Sequence, residues 1–507
     1  MRPFVTLLLI LLAAATLRMP GIGWGQVWQT DYTILQPDEF QHLHIAIDLL
    51  RKWDAEAFPD FEPFLPKINT PGLGTQIAAA ALLLPKTQLD QRRLVLLGRG
   101  ISLAYSLVTL LLVYWLGRLL FSTTQAGLWA AGCLAIFDLP ATYAHYAIPE
   151  TAHVFFAYLT LLGVFAFDRR QQPVFLLLAG LGAAGAMVMK YDFLPLLISG
   201  LFLATRSRQA GYIRFLYLLL TVACAVAGWY WLTLGQFSTA AFRDSFSNLM
   251  RENRDIVAGD YHWLLNPPLY AFALLAGSSF LAGYFAVKGF KGKSSPNVYR
   301  RWMLAWILLE CLPLWSMDVL FVRRLLVFFP ALALWAGHGA QVFFKANKKG
   351  LVVVAAVYTL VLTMLSQSNF WWETRYAARA YLSANAQPGQ TLGYSPAAKV
   401  AGMMPANGNA FEAEWLVWHE SYYSRFGKSF ATPFGMPECC AEVYHCWDGE
   451  AVCTKYQQIL AGRDPDYRLE KKFSTREWMP ERILYKSLFG TYETFLGDVL
   501  IFFRLQT

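Results

Sequence analysis

The sequence predicts a mostly α-helical polytopic membrane protein of about 11 transmembrane helices, ending in an extracytoplasmic α/β domain. Three observations predict it. Hydrophobic residues make up 56% of the 507 residues and charged residues only 15%, against about 25% charged in a soluble domain. Segments 101–117, 119–137, 171–189, 215–242, 263–287 and 350–372 contain no Asp, Glu, Lys or Arg. A bilayer crossing needs about 20 mostly apolar residues, and a soluble core has no room for so many such runs. The chain also carries 18 Trp and 25 Tyr, whose apolar rings and polar tips suit the membrane–water interface. The net charge of +9 does not point to nucleic acid, because the basic residues punctuate the apolar runs as topology signals do.

Taken in order, the crossings fall near 4–20, 94–117, 122–142, 151–167, 172–189, 192–205, 214–236, 265–287, 302–317, 324–344 and 350–368. Segment 4–20 has small residues at 13–15, as a signal peptide does, but Arg18 follows without a clear cleavage site, so it reads as a retained anchor. With the N-terminus cytoplasmic, the inner segments collect fifteen basic residues, from Arg2 to Lys349, against one acid, Asp168. That is the positive-inside pattern of a multi-pass protein of the plasma or inner membrane. The apolar stretch 71–85 is too short for a crossing and reads as a helix dipping into the outer face.

The first domain is therefore a membrane module, 1–368, with a long outer loop at 21–93. The second is an extracytoplasmic domain, 369–507, with 14 Lys and Arg against 15 Asp and Glu. Its short apolar runs, such as 415–418 and 498–503, lie among Gly, Pro and Asn, which suggests mixed α/β structure. Cys133, Cys224 and Cys311 lie in crossings as small apolar residues. Cys439, Cys440, Cys446 and Cys453 crowd into the tail, where disulfides are the favoured use and the pairing stays open.

The candidate chemistry lies on the outer face. The outer loop carries Leu35-Gln-Pro-Asp-Glu-Phe-Gln-His-Leu-His44. Pro37 and Asp38 open a helix there, with Asp38 suited to the positive end of the macrodipole, Glu39 beside it and His42 one turn on. Asp38 is also read as a plain helix cap, and His42 as a weak metal-ligand candidate. Glu150, in Tyr146-Ala-Ile-Pro-Glu150, stands at the outer end of an apolar segment, where an ionisable group is costly and often functional. The cations are Lys67, Arg99, Lys190, Arg323 and Arg324, with Tyr191 beside Lys190. The plainer readings are an interfacial anchor for Arg99, an ion pair with Asp192 for Lys190, and a bridge to Asp318 for the arginine pair. Arg323 and Arg324 break the positive-inside trend, which makes them the better candidates. Acids and cations on one face suit transfer of a sugar from a lipid phosphate. The leaving group needs no acid, the acceptor needs a base, and the phosphate needs cations. A glycosidase would instead need two carboxyls flanking the bond, one protonated.

At this point the chain resembles the GT-C glycosyltransferases, and within them the protein O-mannosyltransferases and the lipid A aminoarabinose transferases. Asp38-Glu39 resembles their acidic signature after the first span. Leu97-Gly-Arg-Gly-Ile-Ser-Leu-Ala104 and Leu116-Gly-Arg-Leu-Leu-Phe121 resemble their second span, and Tyr146-Ala-Ile-Pro-Glu150 the segment of their second acid, where Asp is usual. Met189-Lys-Tyr191, Arg323-Arg-Leu-Leu-Val-Phe-Phe-Pro-Ala331 and the segment 374–389 also fit. The resemblance implies an inverting glycosyltransferase with a polyprenyl-phosphate sugar donor, acting outside the cytoplasm on a protein, lipid or polysaccharide acceptor. Asp38 would be the catalytic base, with Glu39 in support and Glu150 as second acid. His42, Lys67, Arg99, Lys190, Tyr191, Arg323 and Arg324 would bind substrate. A divalent metal ion is left open, with Asp38 and Glu150 as its candidate ligands. The readings from other classes are a polytopic transporter and a non-catalytic membrane assembly protein. A transporter usually shows repeated halves and midplane charges, and neither is evident here.

Overall fold

The structure is a computed structural model that describes residues 3–25, 37–53, 72–85, 90–206, 210–234, 266–291, 298–315, 322–395, 398, 411–423, 450–489 and 496–505. Helices dominate. α1 (Pro3–Arg18), α2 (Pro37–Trp53) and α3 (Gly72–Ala81) lead into α4 (Gln91–Phe121), α5 (Thr124–Ala135) and α6 (Asp138–Tyr143). Then come α7 (Pro149–Arg170), α8 (Pro173–Lys190), α9 (Leu194–Arg206) and α10 (Ala210–Leu234). α11 (Asn266–Ser278), α12 (Phe280–Lys291), α13 (Val298–Trp315), a 3-10 helix (Val322–Phe328), α14 (Phe329–Lys345) and α15 (Lys349–Trp371) complete the bundle. Among the described residues, five stretches are long and apolar enough to cross a membrane: Gln91–Phe121, Pro149–Arg170, Pro173–Lys190, Val322–Lys345 and Lys349–Asn385.

Two of the predicted crossings are interrupted. Segment 122–142 stops at Ile136 and restarts as α6, leaving α5 with 12 residues. At 1.5 Å per residue that is roughly 18 Å, short of a bilayer core of about 30 Å. Segment 265–287 is broken at Ser279, which takes a left-handed backbone (φ +86°), and its halves α11 and α12 are bent by 108°. The side chain of Ser279 takes part in the repair: its Oγ lies 2.7 Å from Thr359 Oγ1 and accepts from Ala282 N at 3.2 Å. α3, at 10 residues, does not span; it lies against α2 and α4 with Leu73, Ile77 and Ala78 buried.

Close helix contact is set by small residues, as expected where lipid supplies no hydrophobic drive. α7 and α8 run antiparallel. A Cβ on Gly185 would run into the Phe156 ring, one on Gly182 would meet Thr160, and one on Gly163 would meet Ala179. Arg18, at the end of α1, is fully buried. It donates to Ser106 Oγ (3.1 Å) and to the last carbonyls of α5, Leu134 (3.2 Å) and Ala135 (2.7 Å). A cation at a helix C-terminus satisfies orphan carbonyls, so α1 is an integral part of the bundle.

The tail begins with α16 (Thr374–Asn385) and a turn at Gly389 (φ +93°). A four-stranded sheet follows, with β1 (Leu392–Tyr394), β2 (Trp415–His419), β3 (Tyr467–Phe473) and β4 (Val499–Arg504) in the order β1-β2-β4-β3. β1 and β2 are parallel and the other two pairings antiparallel. α17 (Glu420–Tyr423) and α18 (Glu450–Leu460) accompany it, and Tyr456 and Ile459 of α18 pack on Leu416, Trp418 and Phe502. α19 (Pro480–Phe489) docks on the bundle. There Arg482 Nη1 meets Asp138 Oδ2 at 3.2 Å, while Glu481 accepts from Tyr358 OH (2.7 Å) and from Phe280 N (3.4 Å), at the start of α12. The tail thus caps the broken helix pair.

Candidate active site

The site is built where α7 begins and α8 ends. Pro149 at the first position of α7 is preset for a helix start, and places Glu150 in the first turn. Glu150 is buried, yet its carboxylate faces cations from two other elements. Lys190 Nζ, at the last residue of α8, donates to Glu150 Oε1 at 2.8 Å. Arg323 Nε, on the 3-10 helix, lies 3.5 Å from the same oxygen. That helix is held to α7 by Tyr158 OH donating to Val327 O at 2.9 Å. Arg324 stands near enough for its charge to act on Lys190. Two cations therefore meet at one carboxylate, and the Lys190 and Arg323 side chains keep 25% and 18% exposure. Among the described residues, Glu150 Oε2 has no hydrogen-bond partner.

A second carboxylate is fixed close by. Glu39, in the first turn of α2, makes a two-pronged pair with Arg99 of α4, at 2.8 Å to Nε and 3.0 Å to Nη2. Glu39 Oε1 also accepts from Ala147 N at 2.7 Å. The start of α2 is thereby pinned three residues before Glu150, so the backbone of Asp38 stands at this same end. The Asp38 side chain and all of Lys67 lie outside the described residues, as does Asp318.

Arg99 stands in a different role from the one its position in the sequence suggests. It is buried, and its donors go to Glu39, Ile22 O (2.8 Å) and Trp24 O (2.7 Å), with its guanidinium 4.7 Å from the Trp24 ring centre. A phosphate would have to displace Glu39 to reach it. His42 is buried within α2, on the side packed into the molecule. Tyr191 is buried and ends α8 with a left-handed backbone (φ +51°), its N–H donating to Met187 O at 2.7 Å. Lys190 pairs with Glu150, and Asp192, its neighbour in the sequence, pairs instead with His153 Nε2 at 2.7 Å. His153 and Trp24 escape the sequence reading. His153 follows Glu150 by three residues, one helical turn, and that spacing is the signal that could have found it.

Among the described residues, no group of three His, Cys, Asp or Glu side chains is gathered to hold a metal ion. The carboxylate oxygen at the site that meets no other described group is Glu150 Oε2.

The family described as dolichyl-phosphate-mannose-protein mannosyltransferase matches residues 96–231, which run from within α4 into α10 and include Glu150 and Lys190. No curated protein matches the chain at a significant level. Among solved structures it is similar to ArnT from Cupriavidus metallidurans in the apo state, at 12% identity and TM-score 0.54, over 76% of this chain and 81% of that one. The same protein bound to undecaprenyl phosphate gives 11% and 0.53, over 77% and 82%. The Archaeoglobus fulgidus oligosaccharyltransferase in complex with Zn and sulfate gives 13% and 0.50, over 84% and 68%. The chain spans 59% of the length of the apo form of that oligosaccharyltransferase. These likenesses show the fold, which this chain shares with ArnT.

Proposed function

We propose that the protein is a membrane glycosyltransferase that moves a sugar from a polyprenyl-phosphate donor to an acceptor on the extracytoplasmic face. The observation that carries this is the convergence of cations from two elements on one spot: Lys190 at 2.8 Å and Arg323 at 3.5 Å from Glu150, both partly exposed, with Arg324 near Lys190. Such a cluster of cations suits a phosphate anion, to which Lys offers a point charge and Arg a planar fork. The family match over residues 96–231 and the fold shared with ArnT, which was solved bound to undecaprenyl phosphate, support the same donor class.

In this reading the reaction is one inverting displacement. Asp38 takes the acceptor proton as the sugar leaves its phosphate, and Lys190, Arg323 and Arg324 stabilise the charge that develops there. The placement of Asp38 rests on Glu39, whose bond to Ala147 N sets the first turn of α2 beside Glu150. Glu39 and Arg99 are a positioning pair rather than ligands. Glu150 orients the acceptor through Oε2, and that oxygen with Asp38 is where a divalent cation would bind. The eleven-crossing topology, with a cytoplasmic N-terminus and the tail outside, belongs to this proposal. The far ends of three helices support it, since Arg118, Arg169, Arg170 and Arg206 lie in the last turns of α4, α7 and α9.

The test is transfer of radiolabel from polyprenyl-phosphate sugars in membranes carrying the full chain. Asp38→Asn abolishes transfer with expression retained. Lys190→Ala raises the donor KM by about tenfold or more, since a charge-assisted contact is worth roughly 1.5–3 kcal/mol. Wild-type rates in both variants would overturn the reading.

A further inference from the structure

We propose that His153 and Asp192 form a positioning pair that sets the Lys190 ammonium toward the lipid phosphate; this rests on the reading of Lys190 as a donor contact. The pair departs from the register of α7 and α8. α7 and α8 run antiparallel, with Phe156 opposite Gly185, Thr160 opposite Gly182 and Gly163 opposite Ala179. Continued toward the site, that register leads Glu150 to Lys190, which is the contact observed. It would lead His153 to the last turn of α8. His153 is instead bonded to Asp192, two residues past Lys190, at 2.7 Å. The chain can return so far down α7 only because Tyr191 ends α8 in the left-handed region, a conformation that an L side chain adopts at a cost and that its surroundings must hold.

Asp192 is held from two sides. Its Oδ2 meets His153 and its Oδ1 accepts from Leu194 N at 2.9 Å at the start of α9. Lys190 and Asp192 therefore flank one left-handed residue, and each is tied to α7, one turn apart. Of the four side chains Lys190 is the most exposed, at 25%, against 10% and 11% for His153 and Asp192. Lys190 therefore offers the readier contact to a ligand. With the turn fixed by Asp192, Lys190 has only its own rotamers left to choose, and Glu150 chooses among them.

The experiment uses the purified full-length chain in detergent, with undecaprenyl phosphate as the probe and its dissociation constant as the readout. His153→Ala weakens binding by about tenfold, within the range of couplings between residues in contact. In a Lys190→Gln background the same substitution changes affinity by less than about twofold, because the residue through which it acts is gone. His153→Gln, whose amide N–H can still donate to Asp192, retains most of the affinity and guards against misfolding of the alanine variant. Equal weakening in both backgrounds, or wild-type affinity in His153→Ala, overturns the positioning role while leaving the donor reading intact. A wild-type chain that does not bind undecaprenyl phosphate overturns both.

Discussion

Glu39 and Arg99 show what a buried charge requires. Each would be costly alone, and each is satisfied by the other together with backbone groups of residues 22, 24 and 147. Removing one partner leaves the other buried and unpaired, which costs about 3–5 kcal/mol. Arg99→Met should therefore lower the thermal midpoint in detergent sharply, and the double variant Glu39→Gln, Arg99→Met should recover part of the loss. A single variant as stable as wild type would deny the pair its structural part. His419 in the tail makes a pH-dependent case. It is fully buried at the end of β2, and burial first, then the nearby Arg375 cation, hold its pKa well below the usual value. The unfolded chain takes up a proton as pH falls through about 6.5 and the folded chain does not. Stability should then fall with pH below about 6.5, by at most about 1.4 kcal/mol per unit. His419→Gln should flatten that slope in thermal melts between pH 7 and 5.

At the scale of elements, the α7–α8 pair depends on backbones that approach closely. The Phe156 ring fills the space that a side chain at Gly185 would need. Gly185→Val should cost about 1–3 kcal/mol by overpacking and shift the Glu150–Lys190 contact at the end of the pair. It should thus lower both the thermal midpoint and affinity for polyprenyl phosphate. Gly228, with open space where its side chain would go, is the control and should tolerate Ala. The break between α11 and α12 is the other element that propensity cannot explain. Ser279 holds a left-handed backbone with its hydroxyl against Thr359, and Glu481 from the tail accepts from the first N–H of α12.

For the molecule as a whole, the tail and the bundle are joined through adjacent residues of α19. Glu481 reaches Tyr358 and Phe280, and Arg482 reaches Asp138, which also accepts from Gln367 at 3.1 Å. Both side chains are buried, so the docking is specific rather than a loose tether. Arg482→Ala leaves Asp138 buried without its cation, and should cost several kcal/mol. Limited proteolysis should then release the tail from the bundle faster than in wild type; an unchanged cleavage pattern would show that other contacts hold the two together.

Composition and charge-free runs determined the membrane module, because lipid forces every backbone group into a helix and leaves a long apolar trace. Short-range order was equally legible: the helix opening at Pro37, the acid after Pro149, and the apolar runs at 415–418 and 498–503 that form β2 and β4. The tertiary structure alone decided which charges meet. Arg99 and Lys190 look alike in the sequence, each a lone cation at an apolar segment's end, yet one is enclosed with Glu39 and the other opens beside Glu150. Asp192 looks like the partner of Lys190 and instead holds His153. Partner choice depends on helix register, close approach at glycines and a single left-handed residue. None of these has a period or a composition by which a linear chain could announce it.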